Sequence, residues 1–308
     1  MTDSLHLQSE LATLTTEAFR PELAGIDQLP TLDIARLMNG EDTGVPAAVA
    51  ARLPEIAAAV DAVAARMERG GRLVYAGAGT AGRLGVLDAS ECPPTFNTAP
   101  GQVVGLIAGG PGALVTSVEG AEDSPGLARA DLDALKLTPD DSVVGVSASG
   151  RTPYAIGAVE HARAAGALTV GLSCNANSAL AAAAEHGIEV VVGPELLTGS
   201  TRLKAGTAQK LVLNMLSTIT MIRLGKTYGN LMVDVRASNA KLRARSRRIV
   251  AQATGAPDAD VERALTEADG EVKTAILIIL AGVDGATATR LLEESDGRLR
   301  TALGKAGA

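Results

Sequence analysis

The segment Ser147-Ala148-Ser149-Gly150-Arg151-Thr152-Pro153 gathers two serine hydroxyls, a threonine hydroxyl and a glycine just before a proline. It follows the apolar run Val143–Val146 and precedes a helical pattern, so Pro153 suits a first helical position and Thr152 an N-cap. At such a turn Ser147, Ser149, Thr152 and free backbone N–H groups could take a phosphate monoester without lysine or magnesium. An ordinary capped turn would have the same residues. A second loop of this kind, Gly77-Ala78-Gly79-Thr80-Ala81-Gly82, matches GxGxxG between a strand pattern and a helix pattern. A dinucleotide site also needs a carboxylate about 20 residues on to hold the ribose, and the next strand runs into Gly109-Gly110 without one. What survives is backbone open to a ligand at Gly79 and Thr80, beside a helix start that favours an anion.

Two carboxylates at expected helix ends are candidates for the chemistry. Glu91 lies in Asp88-Ala89-Ser90-Glu91-Cys92-Pro93-Pro94, where the prolines should end a helix, and Glu122 lies in Glu119-Gly120-Ala121-Glu122-Asp123-Ser124, also at a helix end. A carboxylate pair beside a sugar phosphate could act as base and acid if its surroundings separate the two pKa values. Solvated helix ends are the plainer alternative. The three histidines, His6, His161 and His186, are scattered, and no His/Cys/Asp/Glu cluster has metal-ligand spacing. No metal or other cofactor is expected.

The elements that must hold these loops are legible as an alternation. Short apolar runs at Leu73–Ala76, Val103–Ala108, Val143–Val146, Leu168–Leu172 and Ile188–Val192 suit strands buried on both faces. Helical patterns lie between them, among them Pro153–Ala165 and Ser178–His186. The fold class is therefore α/β, a parallel five-stranded sheet with helices on both faces, plus a small C-terminal three-helix module. A helix from Pro46 carries Leu53, Ile56, Ala57, Val60, Val63, Ala64 and Met67 on one stripe. A later one, Leu203 to Arg223, is apolar nearly all round and must be buried, inside the domain or against another subunit. The expected division is an N-terminal arm at 1–45, the main domain at 46–232, a connecting helix at 233–257 and a helical module at 258–308 broken at Gly270, Gly282, Gly285 and Gly297.

Bulk properties narrow the classes further. Hydrophobic residues make up 46% of the 308 while aromatics make up 2%, so the core must be packed with Ala, Val, Leu and Ile in closely stacked layers. A net charge of −7 argues against nucleic acid, and Arg243, Arg245, Arg247 and Arg248 read as a solvated helix face. Cys92 and Cys174 form no CxxC pair, the first ten residues lack the pattern of a signal peptide, and no run of 18 apolar residues could span a membrane. The expectation is a cytoplasmic protein with no membrane partner.

Four blocks, Gly77–Arg83, Asp88–Pro94, Val118–Asp123 and Ser147–Pro153, resemble those of the N-acetylmuramic acid 6-phosphate etherase family, as do Thr198–Lys210 and Gly229–Val235. The resemblance runs from about Leu29 through the C-terminal module; a larger relative sharing the fold is the glucokinase regulatory protein. It implies a sugar-isomerase (SIS) fold, a UBA-like tail and a cofactor-independent lyase of amino-sugar recycling, acting on a sugar phosphate. In that family's chemistry a base takes the C2 proton of the open-chain sugar, the lactyl ether leaves C3, and water adds to give N-acetylglucosamine 6-phosphate and D-lactate. By analogy Glu91 serves the leaving oxygen and then the water, Glu122 serves C2, Ser147, Ser149 and Thr152 hold the phosphate, and Gly79 and Thr80 touch the sugar. Lys204 could meet the lactyl carboxylate or make an interface pair. Ala81 stands where serine is common in relatives. The resemblance also implies a homodimer with sites near the subunit boundary. A non-catalytic sugar-phosphate regulator on the same fold is the alternative; it would not need both glutamates.

Overall fold

The structure is a computed structural model describing residues 13–235 and 240–308. His6 lies outside the described residues, as do the start of the N-terminal arm and residues 236–239 of the connecting segment. The chain divides into two compact units, the described parts of 1–90 with 101–217, and 91–100 with the described parts of 218–308.

The first unit is built on five parallel strands: β1 (Leu73–Gly77), β2 (Val103–Ile107), β3 (Ser142–Val146), β4 (Leu168–Ser173) and β5 (His186–Glu189). Their order is β2-β1-β3-β4-β5, so the chain leaves β1 toward one edge and returns to β3 on the other side. In open α/β sheets the crevice at such a reversal is where ligands bind. β1, β3 and β4 are buried throughout, as uninterrupted Val and Leu runs require, whereas β2 is an edge strand and only partly covered. β5 begins earlier than its apolar run, because His186 and Gly187 pair with Val170 and Gly171 before Ile188 enters the core.

The helices of this unit are α1 (Thr31–Asp42), α2 (Val45–Ala50), α3 (Leu53–Glu68), α4 (Gly79–Phe96), α5 (Pro125–Leu135), α6 (Pro153–Ala164), α7 (Ala179–Ala183) and the start of α8 (Lys204–Arg223). The stripe expected from Pro46 is split between α2 and α3, with Pro54 at the start of the second helix, where its missing N–H costs nothing. Ile56, Val60, Val63, Ala64 and Met67 are buried as the spacing requires, while Leu53 is exposed. α4 does not stop at its prolines. It runs through Pro93 and Pro94 to Phe96, and Asn97 N–H donates to the Pro93 carbonyl at 3.0 Å, so a helical turn is kept beyond them. The boundary between the units falls within α4 and α8.

In the second unit a two-stranded antiparallel ribbon, β6 (Thr227–Tyr228) and β7 (Leu231–Met232), precedes α9 (Ala240–Thr254). Four helices follow where the tail suggested three: α10 (Asp258–Glu267), α11 (Val272–Ala281), α12 (Gly285–Glu293) and α13 (Leu299–Ala306). Gly270, Gly282 and Gly297 each adopt positive φ between consecutive helices, and three breaks make four helices. Their core is Val261, Leu265, Ile276, Leu277, Leu292 and Leu299 with Ile249 and Val250 of α9. Arg243, Arg245, Arg247 and Arg248 lie on the exposed face of α9, and Arg247 pairs with Glu262. Among the described residues no single helix is long and apolar enough to cross a membrane.

Candidate active site

The carboxyl ends of β1 and β3 are neighbours in the sheet, so the two loops singled out in the sequence open onto one cavity of about 560 Å³. Gly79, Thr80, Glu122, Ser147, Ser149 and Thr152 all line it.

The β1 loop owes its shape to a division of labour among glycines. A Cβ on Gly77 would come within 2.9 Å of Gly82 N, and one on Gly82 within 2.6 Å of Gly77 O. These two let α4 start directly against the strand. Gly79 instead has φ +51° with open space at its Cβ position, which leaves its backbone bare toward the cavity.

In the β3 loop the hydroxyls converge. Ser147 Oγ lies 3.2 Å from Ser149 Oγ and 2.8 Å from Thr152 Oγ1, and it accepts from Gly150 N–H at 3.0 Å. Arg151 N–H donates to Ser149 Oγ at 3.2 Å. Thr152 occupies the N-cap position and Pro153 starts α6, but the Thr152 hydroxyl makes no cap bond. It turns to Ser147 instead. Gly150 is required twice over: φ is +71°, and a Cβ there would lie 2.4 Å from the Ser178 Cβ.

Glu122 is held by its backbone and exposed at its side chain. Its carbonyl accepts from Tyr154 N–H at 3.0 Å, which binds the Glu122 loop to the first turn of α6. Behind it Gly157 lets α6 approach Pro125 so closely that a Cβ would lie 2.6 Å from the Pro125 Cβ. The buried Tyr154 hydroxyl donates to Asp131 at 2.6 Å, and burial together with that carboxylate raises its pKa well above the usual phenol value. Tyr154 is therefore a strut, not an acid.

Glu91 does not line the cavity. It is exposed on α4, twelve residues beyond Gly79, a rise of about 18 Å along the helix. Asp88, one turn earlier, is buried and accepts from Tyr75 Oη at 2.8 Å, Asn214 Nδ2 at 2.7 Å and Ser217 Oγ at 3.1 Å. That network fixes the middle of α4 between β1 and α8.

Lys204 also lies away from the cavity. Its Nζ pairs with Glu41 at 2.6 Å, and Glu41 pairs with Arg20 at 2.6 Å. The hydrogen bond to Lys204, opposed by burial and helped by Arg20, lowers the Glu41 pKa. Cys174 has its thiol pushed up to about 12 by burial and by the nearby Glu195, which rules it out as a thiolate nucleophile. Among the described residues no three His, Cys, Asp or Glu side chains are grouped to hold a metal ion.

Three further lining residues lie outside the two loops and the Glu122 segment singled out in the sequence. Glu17 comes from a single 3₁₀ turn, Thr15–Glu17, seated by Asn175: Nδ2 donates to Thr16 Oγ1 at 3.0 Å and to Ala148 O at 3.1 Å. Thr201 precedes α8, and Gln209 lies within it.

An open parallel sheet with two loops facing one cavity at its topological reversal has the ligand-binding arrangement of a doubly wound α/β domain, here of the sugar-isomerase (SIS) type. Family models agree: a glucokinase regulatory protein N-terminal SIS domain matches residues 55–163, and an SIS domain matches 126–219. The N-acetylmuramic acid 6-phosphate etherase of Streptomyces coelicolor is 84% identical over 94% of this chain and 94% of its own, and that of Rubrobacter xylanophilus is 60% identical over 90% and 92%. The chain belongs to the N-acetylmuramic acid 6-phosphate etherase family. Among solved structures, a phosphoheptose isomerase from Francisella tularensis is 20% identical with a TM-score of 0.49, covering 63% of this chain and 100% of its own.

Proposed function

We propose that the chain cleaves the lactyl ether of N-acetylmuramic acid 6-phosphate with water, giving N-acetylglucosamine 6-phosphate and D-lactate in cell-wall amino-sugar recycling. The observation that carries this most is the meeting of the hydroxyl cluster, the bare Gly79 backbone and the Glu122 carboxylate on one cavity. Ser147, Ser149 and Thr152 hold the 6-phosphate with backbone N–H groups of their loop. Gly79 and Thr80 contact the sugar. Glu122 removes the C2 proton of the open-chain aldehyde, and the electron pair passes through C2 to the C1 oxygen. Collapse of that enolate breaks the C3–O bond, Glu91 protonates the departing oxygen, and lactate leaves. Glu91 then takes a proton from water as the water oxygen adds to C3, and Glu122 returns a proton to C2. Each proton transfer in the transition state contributes about 10²–10⁴-fold.

Glu91 enters this scheme from a second copy of the chain. Its exposure, and its separation along α4 from the cavity-lining Gly79, support a homodimer in which each protomer completes the other's site. The exposed apolar side chain of Leu87, one turn before Glu91 on α4, supports such an interface. The two buried cysteines, Cys92 and Cys174, fit a reducing cytoplasm.

The test is D-lactate release from N-acetylmuramic acid 6-phosphate in deuterated water. The wild type is expected to release lactate with deuterium at C2, and Glu91→Gln and Glu122→Gln each to lose about 10²–10⁴-fold. Mixing the two inactive variants should restore roughly a quarter of wild-type activity, because half of randomly assorted dimers carry one intact site. A wild type that binds the sugar phosphate but frees no lactate would sink the proposal.

A further inference from the structure

The buried face of α8 is apolar at Ala205, Ala208, Val212, Leu213 and Leu216, and Gln209 interrupts it. Gln209 is 1% exposed, its Nε2 has no hydrogen-bond partner among the described residues, and it lines the site cavity. A buried donor left unpaired is destabilising, a cost that an apolar residue of the same size would avoid. The helix that carries it is rigidly placed, since the buried Glu195 carboxylate accepts from Lys204 N–H at 3.0 Å and Ala205 N–H at 2.9 Å. Gly206, one turn before Gln209 and on the same face, faces Thr80, whose Cγ2 would lie 3.5 Å from a Cβ at that position. The amide is thus held on the side of α8 that looks at the sugar-contacting loop.

We propose that Gln209 donates from Nε2 to the C1 oxygen of the bound open-chain sugar and stabilises the negative charge that gathers there when the C2 proton leaves. This rests on the etherase reaction proposed above. A fixed neutral donor with no partner in the resting protein is what an oxyanion site requires: it is already in place, and its bond strengthens as charge develops. The acetamido carbonyl of the same sugar gains no charge in that step, so a donor serving it would improve binding of substrate and transition state alike.

The experiment compares wild type, Gln209→Met and Gln209→Glu as full chains, reading lactate release, hydrogen–deuterium exchange at C2 and melting temperature. Methionine fills nearly the same volume without a donor, so Gln209→Met is expected to melt at or above the wild-type temperature. Its kcat and C2 exchange rate should both fall about 10²–10³-fold with KM within about threefold. Gln209→Glu, which puts a negative charge beside the enolate, should fall at least as far. A kcat within about threefold of wild type in the Met variant overturns the role of Gln209, as does a raised KM with kcat intact, which assigns the amide to a ground-state group. Lactate from the wild type in the same assay separates these results from a failure of the reaction itself.

Discussion

Gly150→Ala compared with Gly79→Ala tests how the two ligand loops are built. Both glycines have positive φ, +71° and +51°, so alanine at either site costs about 1–2 kcal/mol in left-handed backbone. Only Gly150 has a neighbour in the way: its new Cβ would lie 2.4 Å from the Ser178 Cβ and 2.9 Å from the Ser173 Cβ, while nothing lies within 4 Å at Gly79. The obstructing atoms belong to short side chains close to their backbones, so loop and neighbours must separate by about 1 Å, a strain of about 1–3 kcal/mol on the scale of overpacked cores. Gly150→Ala should therefore be about 2 kcal/mol worse than Gly79→Ala. For a unit of this size that is a melting temperature about 4–8 °C lower for the transition of the sheet-bearing unit, read by circular dichroism. The displacement also pulls Gly150 N–H from Ser147 Oγ and its carbonyl from Leu180 N–H, both 3.0 Å bonds, so phosphate affinity should fall with stability. Equal melting temperatures for the two variants, within about 2 °C, would refute the steric argument.

Acid stability should depend on Asp141, whose buried carboxylate accepts from Arg72 N, Nε and Nη2 and from Thr138 N and Oγ1. Burial alone would raise its pKa, but the Arg72 guanidinium and the two backbone N–H groups bring it below the ordinary value. A depressed folded-state pKa gives stability that is present above the unfolded value of about 3.9 and is lost as pH falls below it. Asp141→Asn should therefore flatten the pH dependence of urea unfolding in that acid range; an unchanged slope there counts against the assignment. Asp88→Ala strands three donors, from Tyr75, Asn214 and Ser217, and should cost about 3–5 kcal/mol in urea unfolding, with a loss under about 1 kcal/mol contradicting the network. Asn175→Ala frees the Thr15–Glu17 turn, and loss of about 2 kcal/mol of hydrogen bonding should speed amide exchange there about 30-fold; unchanged protection would mean the turn is held otherwise.

The sheet was readable because Leu73–Ala76, Val143–Val146 and Leu168–Leu172 are too short for helices and too apolar for loops, so burial on both faces was the remaining option. The phosphate loop was readable because hydroxyls, Gly150 and Pro153 occur together at a strand end. What failed were features decided by distant partners. The Thr152 hydroxyl has two local choices, a cap or a neighbour, and the position of Ser147 decides between them. α4 outlasts Pro93 and Pro94, and its last turn still closes through Asn97 N–H to the Pro93 carbonyl. Glu17 sits in a segment without periodicity, and nothing near it in sequence announces Asn175. Gln209 did leave a trace, an amide set among Ala205, Ala208, Val212, Leu213 and Leu216, one turn after a glycine.

The seat of the Thr15–Glu17 turn has a bearing on how the protein is made. Thr16 and its partner Asn175 are 159 residues apart in the chain. At ribosomal rates of about 5–20 residues per second, the turn emerges roughly 8–30 seconds before its seat has been synthesised. All five strands but the last precede Asn175, so most of the sheet is already translated when the early segment first has somewhere to dock. The cavity thus receives Glu17 late in assembly, and a nascent chain stalled before Asn175 would carry both ligand loops without it.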